Sequence, residues 1–257
     1  MIDGATDSVI AALNLGRVHP AALYCNLQDN KVYCANGWGD NVTVIDGSTD
    51  TVVATVYSGV CPQALCYNPQ GNKVYCANSG SDNVTVIDGA TNGAVATVTA
   101  GSNPWALCYN PQDSKVYCAN YNSRDVTIVD GASDSVVATV TVGQGPLAFC
   151  YNTQNNKAYT ANWDGAGATV VDCATGSVIA RVTVGSSPRA LCYNPEDNKV
   201  YCANDSSGDV TVIEGATDSA VATVATGVEP SALCPLLQPA GQQGLLRKRR
   251  QRQRDRD

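Results

Sequence analysis

The chain has one histidine, one phenylalanine and one methionine in 257 residues, and only 15% of it is charged. Each shortage removes a class of explanation. A single histidine, His19, and no Cys-x-x-Cys pair leave no zinc-type ligand spacing, in spite of twelve cysteines. No apolar run approaches the ~20 residues that cross a bilayer as a helix. No basic segment followed by an apolar run marks a signal peptide at the start. No stretch keeps a helical period of apolar residues. Arginine is scarce until the end, "GLLRKRRQRQRDRD". The last thirteen residues hold seven Lys/Arg and two Asp/Glu, so they carry +5 of a formal net charge of −7 and leave the rest at −12. An acidic body argues against a nucleic-acid surface spread over the fold.

What is present is Val, Thr, Ala, Gly and Asn, a composition that favours strands and turns. It is ordered as a repeat. "KVYCAN" begins at Lys31, Lys73, Lys115 and Lys199, with "KAYTAN" at Lys157, on a step of 42 residues. Pro20, Pro62, Pro104, Pro146, Pro188 and Pro230 keep the same step. So does the "VIDGATD" element at Ile2, Ile45, Ile87, Val129, Val171 and Ile213, apart from a one-residue difference in the first interval.

One unit, "PQALCYNPQGNKVYCANSGSDNVTVIDGATNGAVATVTAGSN", divides into four strand candidates: "ALCYN", "KVYCAN", "NVTVID" and "AVATVTA". Turn residues separate them, and apolar residues alternate with small or polar ones within them. Asp88-Gly89 is a turn signal with a mechanism, since Asp bonds its own backbone and Gly accepts positive φ. Four strands in 40–45 residues describe a propeller blade, whereas a stacked solenoid holds fewer residues per coil. The expected fold is therefore all-β: a β-propeller of four-stranded antiparallel blades, five complete and a sixth split and incomplete.

"YCAN…NVTVID…VVATV" resembles the YVTN-type β-propeller repeat family, with Cys-Ala standing where that family writes Val-Thr. The resemblance covers Met1 to Cys234 and is specific for fold. It implies an exported or surface-layer-type protein, commonly closed with seven blades, and says little of activity, because propellers host many unrelated functions.

The expected propeller spans residues 1–234. Residues 1–19 are read as outer strands of a partial blade, 20–229 as five full repeats, and 230–234 as an inner strand of that partial blade. Met1 stands in the slot of Val44, Val86 and Val212, so the chain is expected to start inside a third strand, short of the true N-terminus. Residues 235–257 are expected to be disordered and out of frame. With permitted codons, a one-base shift turns Leu237-Gln238-Pro239-Ala240 into Tyr-Asn-Pro-Gln and continues as Asp-Asn-Lys-Val-Tyr-Cys-Ala-Asn. The rival reading of this tail is a genuine nucleic-acid-binding arm.

Nine cysteines recur with the repeat: Cys66, Cys108, Cys150, Cys192 and Cys234 in the first strand, and Cys34, Cys76, Cys118 and Cys202 in the second. Cys25, Cys61 and Cys173 break the pattern. Buried thiols acting as small hydrophobes are one reading. Cross-strand disulfides of the Cys66/Cys76, Cys108/Cys118 and Cys192/Cys202 type are a second, and a metal site is a third. The recurring Asp46, Asp88, Asp130, Asp172 and Glu214 are read as turn residues before calcium ligands. The recurring lysines are read as solvated strand-edge charges. Asn41, Asn83 and Asn204 match the glycosylation pattern, which is common by chance.

Function is sought in what does not repeat. The turns "NPQ-N" and "DGATDS" barely change, whereas the loops at the other end do. There stand His19, Trp38, Gln63, Trp105, Tyr121, Arg124, Trp163, Asp164, Arg189 and Glu229. Exposed aromatics and arginines on loops suit binding. These residues form a candidate variable loop face for a protein or glycan partner. The expectation is a non-enzymatic binding or structural scaffold, extracytoplasmic or at the cell surface, with no cofactor, no metal, no catalytic residue and no membrane span. A lactonase or quinoprotein-type enzyme with its site at the channel mouth is the alternative. It would need convergent acids, bases or a metal, and only Arg189, Glu229 and His19 lie near the mouth. Nucleic-acid binding is the third reading, against which the acidic body stands.

Overall fold

The computed structural model describes residues 6, 8, 9, 12–15, 19–227, 230–232 and 247–248. They divide into two compact units, Met1–Thr139 and Val140–Asp257. Among the described residues there are five four-stranded sheets, each an antiparallel meander in chain order. The first holds β1 (Pro20–Asn26), β2 (Lys31–Asn36), β3 (Asn41–Asp46) and β4 (Thr51–Tyr57). The second holds β5 (Pro62–Asn68), β6 (Lys73–Asn78), β7 (Asn83–Asp88) and β8 (Ala94–Thr99). The third holds β9 (Pro104–Asn110), β10 (Lys115–Asn120), β11 (Asp125–Asp130) and β12 (Ser135–Thr141). In the second unit the fourth sheet holds β13 (Pro146–Asn152), β14 (Lys157–Asn162), β15 (Gly167–Asp172) and β16 (Ser177–Thr183). The fifth holds β17 (Pro188–Asn194), β18 (Lys199–Asn204), β19 (Asp209–Glu214) and β20 (Ser219–Ala225). An incomplete sixth begins at β21 (Pro230–Ala232), which pairs with β22 (Arg247–Lys248).

This is the all-β, four-stranded-blade architecture that the repeat predicts. The first strand starts earlier than "ALCYN", at the repeating proline. Proline tolerates the first position of a strand because its missing N–H is not needed there. The expected partial blade over 1–19 and the tail 235–257 lie largely outside the described residues, as does Cys234.

The blades stack through the alternation of "KVYCAN". Tyr33 and Ala35 of blade 1 share a core with Val74 and Cys76 of blade 2. Tyr75 and Ala77, on the opposite face of the same strand, share the next core with Val116 and Cys118 of blade 3. In the second unit Tyr159 and Ala161 meet Val200 and Cys202 in the same way. A strand covered on both faces reads as a continuous buried run, which β6 and β10 are apart from their lysines. The second-strand cysteine is thus a small apolar filler between sheets.

Register settles the cysteine alternatives. Cys66 stands opposite Tyr75, and Cys76 opposite Leu65. Cys108/Cys118 and Cys192/Cys202 are offset in the same way. Side chains alternate faces along a strand, so the two cysteines of each hairpin lie on opposite faces of one sheet. The cross-strand disulfide reading is therefore corrected, because these pairs cannot close without a register slip. All eleven cysteines among the described residues are free thiols. Burial pushes the Cys76 and Cys202 thiols up to about 12 and raises Cys34, Cys66 and Cys118 as well. A thiol reagent added to the folded protein at about pH 8 should label the exposed Cys25 first and leave Cys76, Cys118 and Cys202 unmodified until denaturant is added. Mass-spectrometric mapping reads this directly, and rapid native labelling of Cys76 would contradict the packing.

The recurring lysines also need correction. Lys73 Nζ of blade 2 donates to Asp134 Oδ2 in the third-to-fourth turn of blade 3 (2.7 Å), and Lys157 makes the same bond to Asp218 from blade 4 to blade 5 (2.7 Å). Lys31 reaches Asn92 Oδ1 (3.0 Å) and the Gly89 carbonyl (2.6 Å). The tyrosine two residues on completes each clasp: Tyr33 OH donates to Asn92 Oδ1, Tyr75 OH to Asp134 Oδ1 and Tyr159 OH to Asp218 Oδ1. The lysine and aspartate side chains keep only 18% and 13% of their surface in the Lys73–Asp134 pair. Lys31, Lys73 and Lys157 are thus fasteners between blades rather than solvated charges.

The recurring acids behave as turn residues. Asp46 Oδ1 accepts from the hydroxyls and N–H groups of Ser48 and Thr49, and these bonds, the Ser48 hydroxyl foremost, hold its carboxyl down at about 2. Thr91, Ser133 and Thr175 do the same for Asp88, Asp130 and Asp172, whose carboxyls are also lowered. Asn204 is fully buried, which removes it as a glycosylation acceptor.

Candidate binding face on the blade loops

An antiparallel meander sends its first-to-second and third-to-fourth turns to one end. The second-to-third loop and the entry into the first strand emerge at the other. At that end the two variable loops of each blade are tied together. Gly37 N–H donates to the His19 carbonyl (3.0 Å), Ser79 to Cys61 (3.0 Å), Tyr121 to Asn103 (2.9 Å), Trp163 to Gly145 (2.9 Å) and Asp205 to Ser187 (3.0 Å). The accepting residue is left-handed in every case, with φ of 47° at His19, 54° at Cys61, 60° at Asn103, 64° at Gly145 and 54° at Ser187. Four of the five are not glycine, so the loop bonds hold a conformation that costs on the order of 1 kcal/mol each. Asp40 and Asp82 help, accepting the Cys61 and Asn103 N–H groups on Oδ1 (3.0 and 2.8 Å).

The residue after the proline is bulged out of the pairing. Partners run from Pro62 directly to Ala64, from Pro104 to Ala106 and from Pro188 to Ala190. Gln63, Trp105 and Arg189 are therefore the unopposed residues. A bulge re-aims its side chain, which frees this position to vary while its neighbours hold the sheet.

Each aromatic found by the sequence reading acquires a partner. His19 stacks on Trp38, ring centroids 4.7 Å apart and planes 19° from parallel. Trp38 remains 75% exposed. Trp105 meets Tyr121 at 6.2 Å with a 47° tilt and remains 41% exposed. In the second unit the Arg189 guanidinium lies 5.3 Å from the centre of the Trp163 ring, a cation–π contact, and 3.7 Å from the Asp205 carboxylate. Trp163 and Asp164 sit on a single 3-10 turn, Trp163–Gly165, with Asp164 exposed. Arg124 is exposed and left-handed at the end of its loop, with φ of 60°. Gln63 is half-buried in its bulge. Glu229 lies outside the described residues.

What results is a set of flat aromatic surfaces, each buttressed by a second ring or a guanidinium. Such platforms offer large contact area at little loss of side-chain freedom. Asp205 belongs with them and was legible only as a variable loop residue. No group of three or more His, Cys, Asp or Glu side chains able to hold a metal occurs among the described residues. No helix among them is long and apolar enough to cross a membrane.

Comparison with known proteins agrees with this geometry. A profile of the "YNCE-like beta-propeller" family matches residues 4–203. No curated protein matches the chain. Among solved structures it is similar to Kuenenia stuttgartiensis hydrazine synthase, with a TM-score of 0.60, 16% identity, and coverage of 88% of this chain and 92% of that one. It is also similar to a functionally unknown protein from Desulfotomaculum acetoxidans DSM 771, with a TM-score of 0.70, 12% identity, and coverage of 81% and 70%. At these identities the likeness is one of fold.

Proposed function

The chain belongs to the YNCE-like β-propellers, a YVTN-type family, and from that premise we propose that it is a non-enzymatic scaffold that binds a partner through the variable loop ends of its blades. One observation carries the reading. The aromatic residues that escape the repeat are concentrated at one end of the sheets, and there they form buttressed platforms, of which Trp38 and Trp105 are exposed and Trp163 is half-buried. Opposite-end turns change little in sequence, and four of the five third-to-fourth turns keep the aspartate bond to the N–H three residues on. The partner class is a protein or glycan at the outside of the cell, in line with the surface-layer-type resemblance.

The test is retention on cell-envelope material from the source organism. Replacing Trp38, Trp105 and Trp163 together by alanine should weaken retention by at least ~30-fold, the scale of losing one aromatic hot spot. Replacing the exposed Ala90, Ala132 and Ala174 of the opposite turns by glutamine should change it by less than ~2-fold. The reverse pattern, with both variants folded by circular dichroism, would sink the proposal.

A further inference from the structure

Blade 4 departs from its sisters at one spot. In the others the last asparagine of the second strand donates from Nδ2 twice. One bond goes to a third-strand threonine, and the other to the first side chain of that strand. Those second acceptors are Asn41 for Asn36 (2.8 Å), Asn83 for Asn78 (2.8 Å), Asp125 for Asn120 (2.7 Å) and Asp209 for Asn204 (2.6 Å). Two residues earlier, blades 2, 3 and 5 have a serine that accepts a backbone N–H of the incoming loop: Ser81 from Val60 (3.0 Å), Ser123 from Ser102 (2.9 Å) and Ser207 from Ser186 (3.1 Å), whereas blade 1 has Gly39 there. Blade 4 has Gly167 in the first of these places and Gly165 in the second. Both acceptors are gone, while both donors, Asn162 Nδ2 and the Gln144 N–H, remain.

Asn162 keeps its bond to Thr169 (2.9 Å) and is only 3% exposed. Its Oδ1 is buried without a partner, and so is Thr160 Oγ1, because Thr160 replaces the cysteine that bonds this oxygen elsewhere. The vacated space is a half-open surface pocket of about 160 Å³ whose lining includes Gly143, Asn162, Gly165, Gly167, Thr169 and Arg181. Arg181 stands where the other blades have Thr55, Thr97, Thr139 and Thr223. Blade 3 shows what normally fills this place. A Cβ on Gly101, the counterpart of Gly143, would lie 2.3 Å from Ser123 Oγ and 2.5 Å from Asp125 Oδ1. Two acceptor oxygens thus flank one point in blade 3; in blade 4 Asn162 Nδ2 comes to 2.5 Å from the equivalent point at Gly143, and the space left at Gly165 and Gly167 is lined by Arg181, whose guanidinium also donates to the Thr141 carbonyl (3.4 Å).

We propose that this pocket is a carboxylate site: one oxygen accepts from Asn162 Nδ2, the other from the Gln144 N–H, and Arg181 supplies the opposite charge. The donors fit an anion and repel a cation. A planar pair of oxygens replaces the two oxygens of blades 2, 3 and 5. The volume exceeds that of several waters at ~30 Å³ each, so it admits a small organic acid or the acidic group of a larger molecule. The inference is independent of the aromatic platforms and stands or falls apart from them.

The experiment is thermal denaturation and calorimetric titration of the full chain with acetate, D-glucuronate, phosphate or chloride at equal ionic strength. Acetate and glucuronate should raise the midpoint saturably, and glucuronate alone would show that only the sugar acid is bound. The double variant Gly165→Ser/Gly167→Asp rebuilds the missing acceptors within the chain. A Cβ at either glycine would meet nothing nearer than 3.4 Å, so the side chains fit. That variant should be more stable without ligand and should bind carboxylates at least ~10-fold more weakly. Arg181→Thr, which copies the sister blades, should fold normally and weaken binding by ~10-fold or more. The proposal is overturned by equal responses in all three proteins, by no response in the parent, or by phosphate matching the carboxylates.

Discussion

Asp134→Ala is expected to destabilise the protein by about 3 kcal/mol, among the largest effects of any single side chain at the blade boundaries. The carboxylate accepts the Lys73 ammonium on one oxygen and the Tyr75 hydroxyl on the other, both at 2.7 Å. Both donors belong to the neighbouring blade and are largely withdrawn from water. Truncation leaves a half-buried ammonium and a buried hydroxyl only the longer bonds to the Gly131 and Ala132 carbonyls (3.3–3.4 Å), and the penalty of losing the charged acceptor exceeds the value of the ion pair itself. Asp134→Asn should cost less, because Asn92 already serves Lys31 and Tyr33 in the same role. Denaturant unfolding of Lys73→Ala, Asp134→Ala and the double variant gives the coupling. Strict additivity of the two losses would mean that the clasp carries no interaction energy.

Asn204→Ala should cost about 3 kcal/mol, and Asn162→Ala only about 1 kcal/mol. Both asparagines end the second strand of their blade in the second unit, and both are buried. Asn204 donates to Asp209 and Thr211 and accepts from the Cys202 thiol. Asn162 retains one bond, to Thr169, and already has an unpartnered oxygen. Removing Asn204 takes a bond from buried Thr211, buried Cys202 and half-buried Asp209, whereas removing Asn162 takes one from Thr169 alone. The comparison is internal to one protein, so differences in the unfolded state largely cancel. Equal losses at the two positions would show that cavity formation, not hydrogen bonding, sets the cost.

Much of this was legible in the sequence because a propeller is written locally. The four-strand unit, its turns and the end of the blade that varies follow from a 42-residue repeat, period-two alternation and Asx turn chemistry. Trp38, Trp105, Tyr121, Trp163 and Arg189 stood out because a repeat makes every departure visible. Less legible were relations between strands. Cys66 and Cys76 flank their turn symmetrically in the sequence, but the pairing Cys66–Tyr75 puts them on opposite faces. A one-residue change of register reverses that conclusion, and spacing alone does not fix register. Lys73 looked solvated because its partner lies 61 residues away in another blade. The constant separation of Lys31 from Asn92, Lys73 from Asp134 and Lys157 from Asp218 was the available signal.

The sequence by itself determined the blade, its strand order, the family and which end of each sheet varies, since each depends on residues within one 42-residue unit. Tertiary structure alone decided which side chains meet. It decided that the lysines fasten blades, that the hairpin cysteines face apart, that His19 lies on Trp38 and Arg189 on Trp163, and that two glycines in blade 4 open a pocket beside an arginine. The physical reason is the same in each case. Local hydrogen bonding and alternation fix a strand within a few residues, whereas burial, pairing and charge compensation depend on side chains brought together from different strands and loops, 19 residues apart for His19 and Trp38 and 61 for Lys73 and Asp134.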